Sequence, residues 1–489
     1  MSEHSFISSV TGMRPVPQPA GSFASRLAAH HWAPLPVLLI APFMVVLDFF
    51  IVNVAIPSMQ SRLHAGSGAV EWVIAGYGLT FAIGLITGGR LGDRYGRRRM
   101  FSLGLLLFTL ASAACGLAST PSLLVGARIA QGLAAALLMP QALAIIGVIY
   151  EGARRVQAFS IYGMALGLAA VSGQLIGGAL IEADPAGLGW RTVFLINLPI
   201  GALGLVLAPR LVPESRANGV PRLDLTGAGL VMLALTAIVL PLIEGRSHGW
   251  PLWTWLSLAA SPFLLYGFAR HQRRLGRRGG QPLLHPKLFR ERAFTVGLIA
   301  QLTFFSSMAS FFLVFALYLQ QGRGLDPLQA GLVFTIMATA YVVASARAPQ
   351  LTVRLGRKLP VMGAVVLAAG HGLLAATVLD VGTGHTVAFL VPALVLIGTG
   401  MGLVLTPLTS TVLANLTPAT AGAASGALST MQQIGNALGV AITGVIFYGT
   451  LQHGLPDAFE LSLGELAAVS IAVAACSFLL PQPTRVDAS

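Results

Sequence analysis

Fourteen apolar runs, each about 18 to 27 residues long, constrain this chain more than any other feature. A helix rises about 1.5 Å per residue, so roughly 20 apolar residues cross the ~30 Å hydrocarbon core of a bilayer. The first run covers residues 35–57 and the last 462–481. The strict alternation that a membrane β-barrel requires is absent. Only 10% of the 489 residues are charged and 55% are hydrophobic, against about 25% charged in a soluble protein. That balance excludes an ordinary water-soluble enzyme. The expected fold is an all-α integral membrane protein with 14 transmembrane helices.

The net charge of +13 would suggest nucleic acid in a soluble chain, but the charges sit between the apolar runs. When the chain is threaded back and forth, all of the 30 Lys and Arg fall on one side except Arg62, Arg191, Arg246, Arg323 and the intrahelical Arg128. Positive loops stay in the cytoplasm, so both termini are expected there, in a multi-pass protein of the cell membrane. The stretch RHQRRLGRRGGQ at 270–281 has no aromatic platform beside it and reads as a solvated loop facing lipid headgroups, with no nucleic-acid partner. Residues 1–34 are polar and contain Pro. The run after them is too long for a signal-peptide core and lacks an evident cleavage site, so a tail and a retained helix are expected. Cys115 and Cys476 both fall inside apolar runs, which gives no disulfide framework.

An internal repeat divides the chain. GRLGDRYGRRRM at 89–100 lies between the second and third runs, and PQLTVRLGRK at 349–358 between the tenth and eleventh. Aligning Gly96 with Gly356 places Arg94 on Arg354, Arg97 on Arg357 and Arg98 on Lys358. Eight runs separate the copies. The simplest division is a six-helix bundle over 35–208, an inserted helix pair with basic loops over 209–293, and a second bundle over 294–482, followed by a short tail at 483–489.

GRLGDRYGRRRM resembles the signature loop of the major facilitator superfamily, and with fourteen runs the chain is similar to its drug:proton antiporter branch. LDFFIVNVAIP at 47–57 agrees, except that Phe50 replaces the usual Thr. LVGARIAQGLAAA at 124–136, GWRTVFLINLPIG at 189–201 and GQLIGGAL at 173–180 agree as well, with Gln174 where Pro is usual in the last. The resemblance implies efflux of drugs or antibiotics by alternating access in exchange for protons. It implies no cofactor and no obligate protein partner.

Asp48 lies near the middle of the first run, where a charge costs about 2.5 to 3.5 kcal/mol on insertion scales. A carboxyl beside a movable cation exchanges a proton as its surroundings wet and dry. Asp48 is expected to couple protons, with Arg128 as its partner and Gln131 completing the polar site; Asn53 and Gln131 are also candidates for the cavity or substrate. Asp48 is the one acid expected deep in a helix. A permanent ion pair that only fixes packing is the plainer reading of the same residues.

In the repeat loop Gly89 and Gly96, with Gly92, permit tight turning. Asp93, Arg94 and Arg97 are expected to hold a gate, with Asp93 near a helix N-terminus of the other half and Arg97 paired with an acid such as Glu151. Gly173, Gly177 and Gly178, with Gly163 and Gly167, thin the fifth helix for close packing. Loss of Pro at Gln174 weakens the expected bend there and leaves a cavity-facing amide as an alternative. Ser425, Ser429, Gln432, Asn436 and Thr443 form one face of the thirteenth helix, a candidate cavity lining. His371 is a lone intrahelical histidine, more simply read as a hydrogen-bonded core residue.

No phosphate-binding GxxxxGK[ST] loop exists, since the only lysines are Lys287 and Lys358. That leaves an ion gradient as fuel, and a single carboxylate suits a proton better than sodium. No metal-ligand or nucleophile spacing points to an enzyme. The expected substrate is a small amphipathic organic compound. A dedicated exporter of one metabolite and a nontransporting sensor remain open on the same residues.

Overall fold

A computed structural model describes residues 32–216, 224–280, 282–283, 291–384, 386–413 and 418–480. The expected tails, apart from residues 32–34, and residues 284–290 of the basic loop lie outside them. All regular structure among the described residues is helical. The long helices are α1 (Pro34–Leu63), α2 (Ser67–Tyr95), α3 (Arg97–Gly116), α4 (Pro121–Ile149), α5 (Gly152–Ala183) and α6 (Asn197–Leu211). They continue as α7 (Leu225–Ser247), α8 (Leu252–Arg277), α9 (Arg292–Leu317), α10 (Pro327–Leu355), α11 (Lys358–Val381), α12 (Val391–Leu413), α13 (Pro418–Thr450) and α14 (Leu455–Phe478). Thirteen spans are long and apolar enough to cross a membrane, and α5 makes a fourteenth as two segments meeting at 42°. The bend therefore persists without Pro at position 174.

Several helices outrun their apolar runs. α1 reaches Leu63 and α13 starts at Pro418, because backbone hydrogen bonding continues into the interfacial layer after the hydrocarbon ends. The internal repeat reappears as geometry. Gly96 (φ 108°) turns the chain between α2 and α3, and Gly356 (φ 53°) does the same between α10 and α11, a region of φ that a Cβ disfavours. Asp326 caps α10 by accepting from the Gln329 amide at 2.7 Å, with Pro327 in the first turn.

The two repeat turns mark one end of the molecule, called here the basic end; the turns α1–α2 and α13–α14 mark the far end. Helices α1 to α6 pack among themselves, α2 on α4 and α1 on α5, and α9 to α14 do likewise, α11 on α12 and α9 on α13. Between the two sets, α2 meets α13 and α5 meets α10. Each set thus offers its second and fifth helices to the fifth and second of the other, the exchange a twofold relation imposes. Two hydrogen bonds between the sets lie toward the far end, Gln320 Nε2 to the Val54 carbonyl at 2.9 Å and Gln321 Nε2 to Gln60 Oε1 at 2.7 Å. Phe50, the departure from the family pattern, meets Phe312 across the same seam with ring centroids 4.9 Å apart.

Glycines set this approach. A Cβ on Gly178 would lie 2.3 Å from the Pro327 carbonyl oxygen, and one on Gly331 2.7 Å from that of Gln174. Gly163 and Gly167 have nothing within 4 Å, so the expected close packing at those two positions does not form.

The α7–α8 pair leans on α2 and α13 through α7. At the basic end Asp224 caps α7, its Oδ1 accepting from the Gly227 amide at 2.8 Å and lying 2.7 Å from His271 Nε2, while Gln272 Nε2 donates to Oδ2 at 2.6 Å. Burial pushes the Asp224 carboxyl up, but the Gly227 amide, His271 and Gln272 outweigh it and hold it below the usual carboxylate range. A depressed value stabilises the clasp above the unfolded-state value, and the contribution is lost as pH falls through the folded one.

Two outcomes follow. Gly178→Val should wedge the far end open, read as a longer spin-label distance between Ser61 and Asp457. Amide protection at the start of α7, corrected for intrinsic exchange, should fall as pH drops below about 3.9, whereas Asp224→Asn should lower it at neutral pH and remove that acid-side fall.

Candidate functional site

The polar site is built where five helices of the first set converge. α1 is apolar along nearly its whole length, so Asp48, near its midpoint, has no water to reach and is fully buried. Thr120 caps α4, accepting from the Leu123 amide at 3.3 Å, with Pro121 at the first position. That start places Arg128 and Gln131, three residues apart, on one inward face. Both are fully buried.

Arg128 Nη1 donates to Asp48 Oδ2 and, at 2.8 Å, to Gln131 Oε1. Asp48 Oδ1 accepts from Gln131 Nε2 at 2.8 Å and from Asn197 Nδ2 of α6 at 2.9 Å. Ser112 Oγ of α3 accepts from both amides, at 2.7 and 3.1 Å. Arg128 Nε donates to the Val73 carbonyl of α2 at 2.8 Å, and the guanidinium lies 4.2 Å over the Tyr77 ring. The carboxylate thus has a cation and two amide donors in place of water. Such a site can hold a charge in hydrocarbon and release it when one partner is displaced.

Asp48, Arg128 and Gln131 come together as expected. Asn197, Ser112 and Tyr77 were not anticipated; Asn197 carried a weak signal, as the lone amide in the apolar stretch 192–208. Asn53 does not join. Its Nδ2 donates back to the Phe49 and Phe50 carbonyls at 3.3 and 3.2 Å.

The repeat loop is arranged differently from expectation. Arg97 pairs with Asp93 of its own loop at 2.7 Å, not with Glu151, which stands exposed at the start of α5. Glu214, beyond α6, occupies the N-terminal end of α3, accepting from the Arg98 amide at 3.0 Å, where the helix dipole favours an anion. A Cβ on Gly96 would lie 2.8 Å from that carboxylate. Arg94 is exposed, its guanidinium 5.2 Å from the Tyr95 ring. The tight glycines are Gly88 and Gly92, against Ala136 and Gln141, while Gly89 has ordinary clearance from Pro140.

In α5, Gly173 and Gly177 face Phe50 and Ile51 of α1, and Gln174 donates to the Phe50 carbonyl at 2.9 Å. Gln174 is therefore a buried α1–α5 tie and not a cavity-facing amide. The α13 stripe also divides. Gln432 reaches Gln301 of α9 at 3.3 Å, and Gln301 continues to Thr409 of α12 at 2.9 Å. Asn436 donates to Gln433 at 3.2 Å, Ser429 is half-buried, and Thr443 donates to Glu465 of α14 at 2.8 Å. The side chain of Ser425 lies outside the described ones. His371 is buried beside Ser470 Oγ, 3.3 Å from Nδ1. Asp48 is not alone as a deep acid, since the early start of α14 carries Glu465 well into the span.

A many-helix membrane fold with two sets exchanging second and fifth helices, and a fully buried acid–guanidinium pair in one of them, defines a multi-pass membrane transporter. The chain belongs to the Major Facilitator Superfamily, whose model matches residues 38–440. It is 40% identical over 445 residues to the probable actinorhodin transporter of Streptomyces coelicolor, covering 90% of this chain and 77% of that one. Against the puromycin resistance protein pur8 of Streptomyces alboniger the identity is 37% over 436 residues, covering 87% and 84%. Against the cephamycin export protein CmcT of Amycolatopsis lactamdurans it is 34% over 458 residues, covering 91% of each. Among solved structures, the peptide transporter POT in complex with sulfate superposes with a TM-score of 0.66 at 17% identity, covering 94% and 98%. A bacterial homolog of the human lysosomal transporter Spinster gives 0.64 at 17%, with the same coverage. At that identity these structures show the fold alone.

Removing one member of a buried pair leaves the other charge unpaired, at a cost of about 3–5 kcal/mol. Arg128→Ala should lower unfolding stability by that order. The Asp48→Asn/Arg128→Met double variant should recover at least half of the loss, as measured by thermal unfolding in detergent.

Proposed function

We propose that this protein is a proton-coupled exporter of small amphipathic organic compounds, antibiotics among them, working by drug:H⁺ antiport across the plasma membrane. The observation that carries the reading is the buried Asp48–Arg128 pair, its carboxylate held by neutral amides, in a chain whose relatives are named as an antibiotic transporter, an export protein and a resistance protein. The basic end faces the cytoplasm with both termini, in keeping with the positive-inside bias. Residues 35–208 and 294–482 are the two moving bundles, and the hydrogen bonds at the far end support reading this as an inward-facing conformation.

Asp48 takes a proton from outside as substrate leaves and returns it inside, with Arg128 exchanging partners as the first bundle repacks. The Asp93–Arg97 bond is local here. It becomes available to the second bundle, with Arg94 and Glu151 beside it, when the basic end closes. Gly173, Gln174, Gly177 and Gly178 seal α5 against α1 and α10. Ser429, Gln432 and Asn436 line the substrate path on α13. The relative at 40% identity is named for one antibiotic, which supports a second reading as a dedicated exporter of a single metabolite.

Expression in efflux-deficient cells, challenged with actinorhodin, puromycin and tetracenomycin C, tests both. Extrusion should fall at least tenfold in Asp48→Asn and equally on collapse of the proton gradient. Export unchanged by both treatments would sink the coupling. Extrusion of one compound alone favours the dedicated reading.

A further inference from the structure

Glu465 lies ten residues into the 24-residue α14, about 15 Å along its axis from the far end. It is half-buried on the α13–α14 boundary, and its Oε2 accepts from the hydroxyl of Thr443, which is itself 0% exposed. No cation lies within ion-pair distance of it among the described residues, in contrast to Asp48.

The charged groups on the surrounding elements are few. α13 carries none over 418–450, and α9 has only Arg292 at its basic end. α11 carries Lys358 and Asp380 near its two ends, and His371, which meets Ser470 five residues further along α14. Arg323 is on the Tyr318 hydroxyl at 3.2 Å, and Asp457 and Glu460 lie in the first two turns of α14. On the opposite side of α13 the carboxyl of Glu71 packs against Gly444, where a Cβ would come within 2.7 Å of it. α13 is therefore flanked at one level by Glu465 from its own set and by α2 from the other.

We propose that Glu465 is a second proton-exchanging carboxyl, set at the α13–α14 boundary of the second bundle and linked through Thr443 to the helix that crosses to α2. An intramembrane acid held by one hydroxyl and no cation marks an ion-handling site. Its acid form gives the O–H proton to water when the boundary wets and regains one from water; Thr443 donates to either form, so the link survives both. Rocking of the bundles shifts α13 against α2, so the load on α13 reaches the Thr443–Glu465 bond from the opposite face of that helix. This deepens the proton-coupled reading and rests on it for a role in transport.

The test uses the full chain in liposomes treated with dicyclohexylcarbodiimide, which partitions into the bilayer and is added to by protonated carboxyls. Adducts are mapped by peptide mass spectrometry from pH 5.5 to 8.5. The expected result is an adduct on Glu465 that falls at least tenfold across that range, none on the sealed Asp48, and a midpoint displaced by half a unit or more in Thr443→Val. Glu465→Gln, which keeps an acceptor for Thr443, should fold, lose the adduct and abolish any pH dependence of the Ser61–Asp457 spin-label distance. An absent adduct, one insensitive to pH, or a distance whose pH response survives in Glu465→Gln overturns the proposal. Failure of proton coupling itself appears separately, as gradient-independent export with the Glu465 adduct still titrating.

Discussion

A carboxylate in hydrocarbon persists only where a cation and hydrogen-bond donors replace the water it has lost. In this protein that condition is met by five helices at once. Asp48 is contributed by α1, Arg128 and Gln131 by α4, Ser112 by α3, Asn197 by α6, and the Val73 carbonyl and Tyr77 ring by α2. Apolar packing between helices has little directionality in lipid, because lipid tails are as apolar as leucine. A polar knot does have direction, so it fixes the rotation and depth of each helix that enters it.

Close approach supplies the complementary constraint. Within the first set, Gly88 and Gly132 let α2 and α4 meet backbone to backbone, and Gly104 does the same for α3 and α4. Between the sets, Gly178 and Gly331 bring α5 and α10 together, and Phe50 meets Phe312. The Asp48–Arg128 pair is satisfied within a set, whereas the seam between the sets carries glutamine hydrogen bonds and aromatic contact. An interface of that kind can part without breaking the Asp48–Arg128 pair, which is what alternating access would ask of it.

Much of this was legible in the order of residues. Hydrocarbon thickness turns into run length, so fourteen spans could be counted. The left-handed turn at Gly96 and Gly356 turns into a glycine with basic neighbours, so the repeat could be aligned. Charge in oil is expensive, so Asp48 and Arg128 stood out. Ser112, Asn197 and Gln141 did not, because a small polar side chain in an apolar run looks the same whether it joins a network or bonds its own helix, as Asn53 does. Arg97 meets Asp93 rather than Glu151, since which acid lies within its reach is fixed only once the helices are placed.

The linear sequence alone determined the class of solvent, the number of crossings, the twofold repeat and the two charges that cannot face lipid, since each follows from local composition measured against a bilayer. Only the tertiary structure decided which neutral amides complete the knot, that Glu214 and not a distant half holds the α2–α3 turn, and that Glu465 sits midway down α14. Those facts depend on helix rotation and helix start points. Both are set by packing between segments far apart in the chain, where local patterning carries no information.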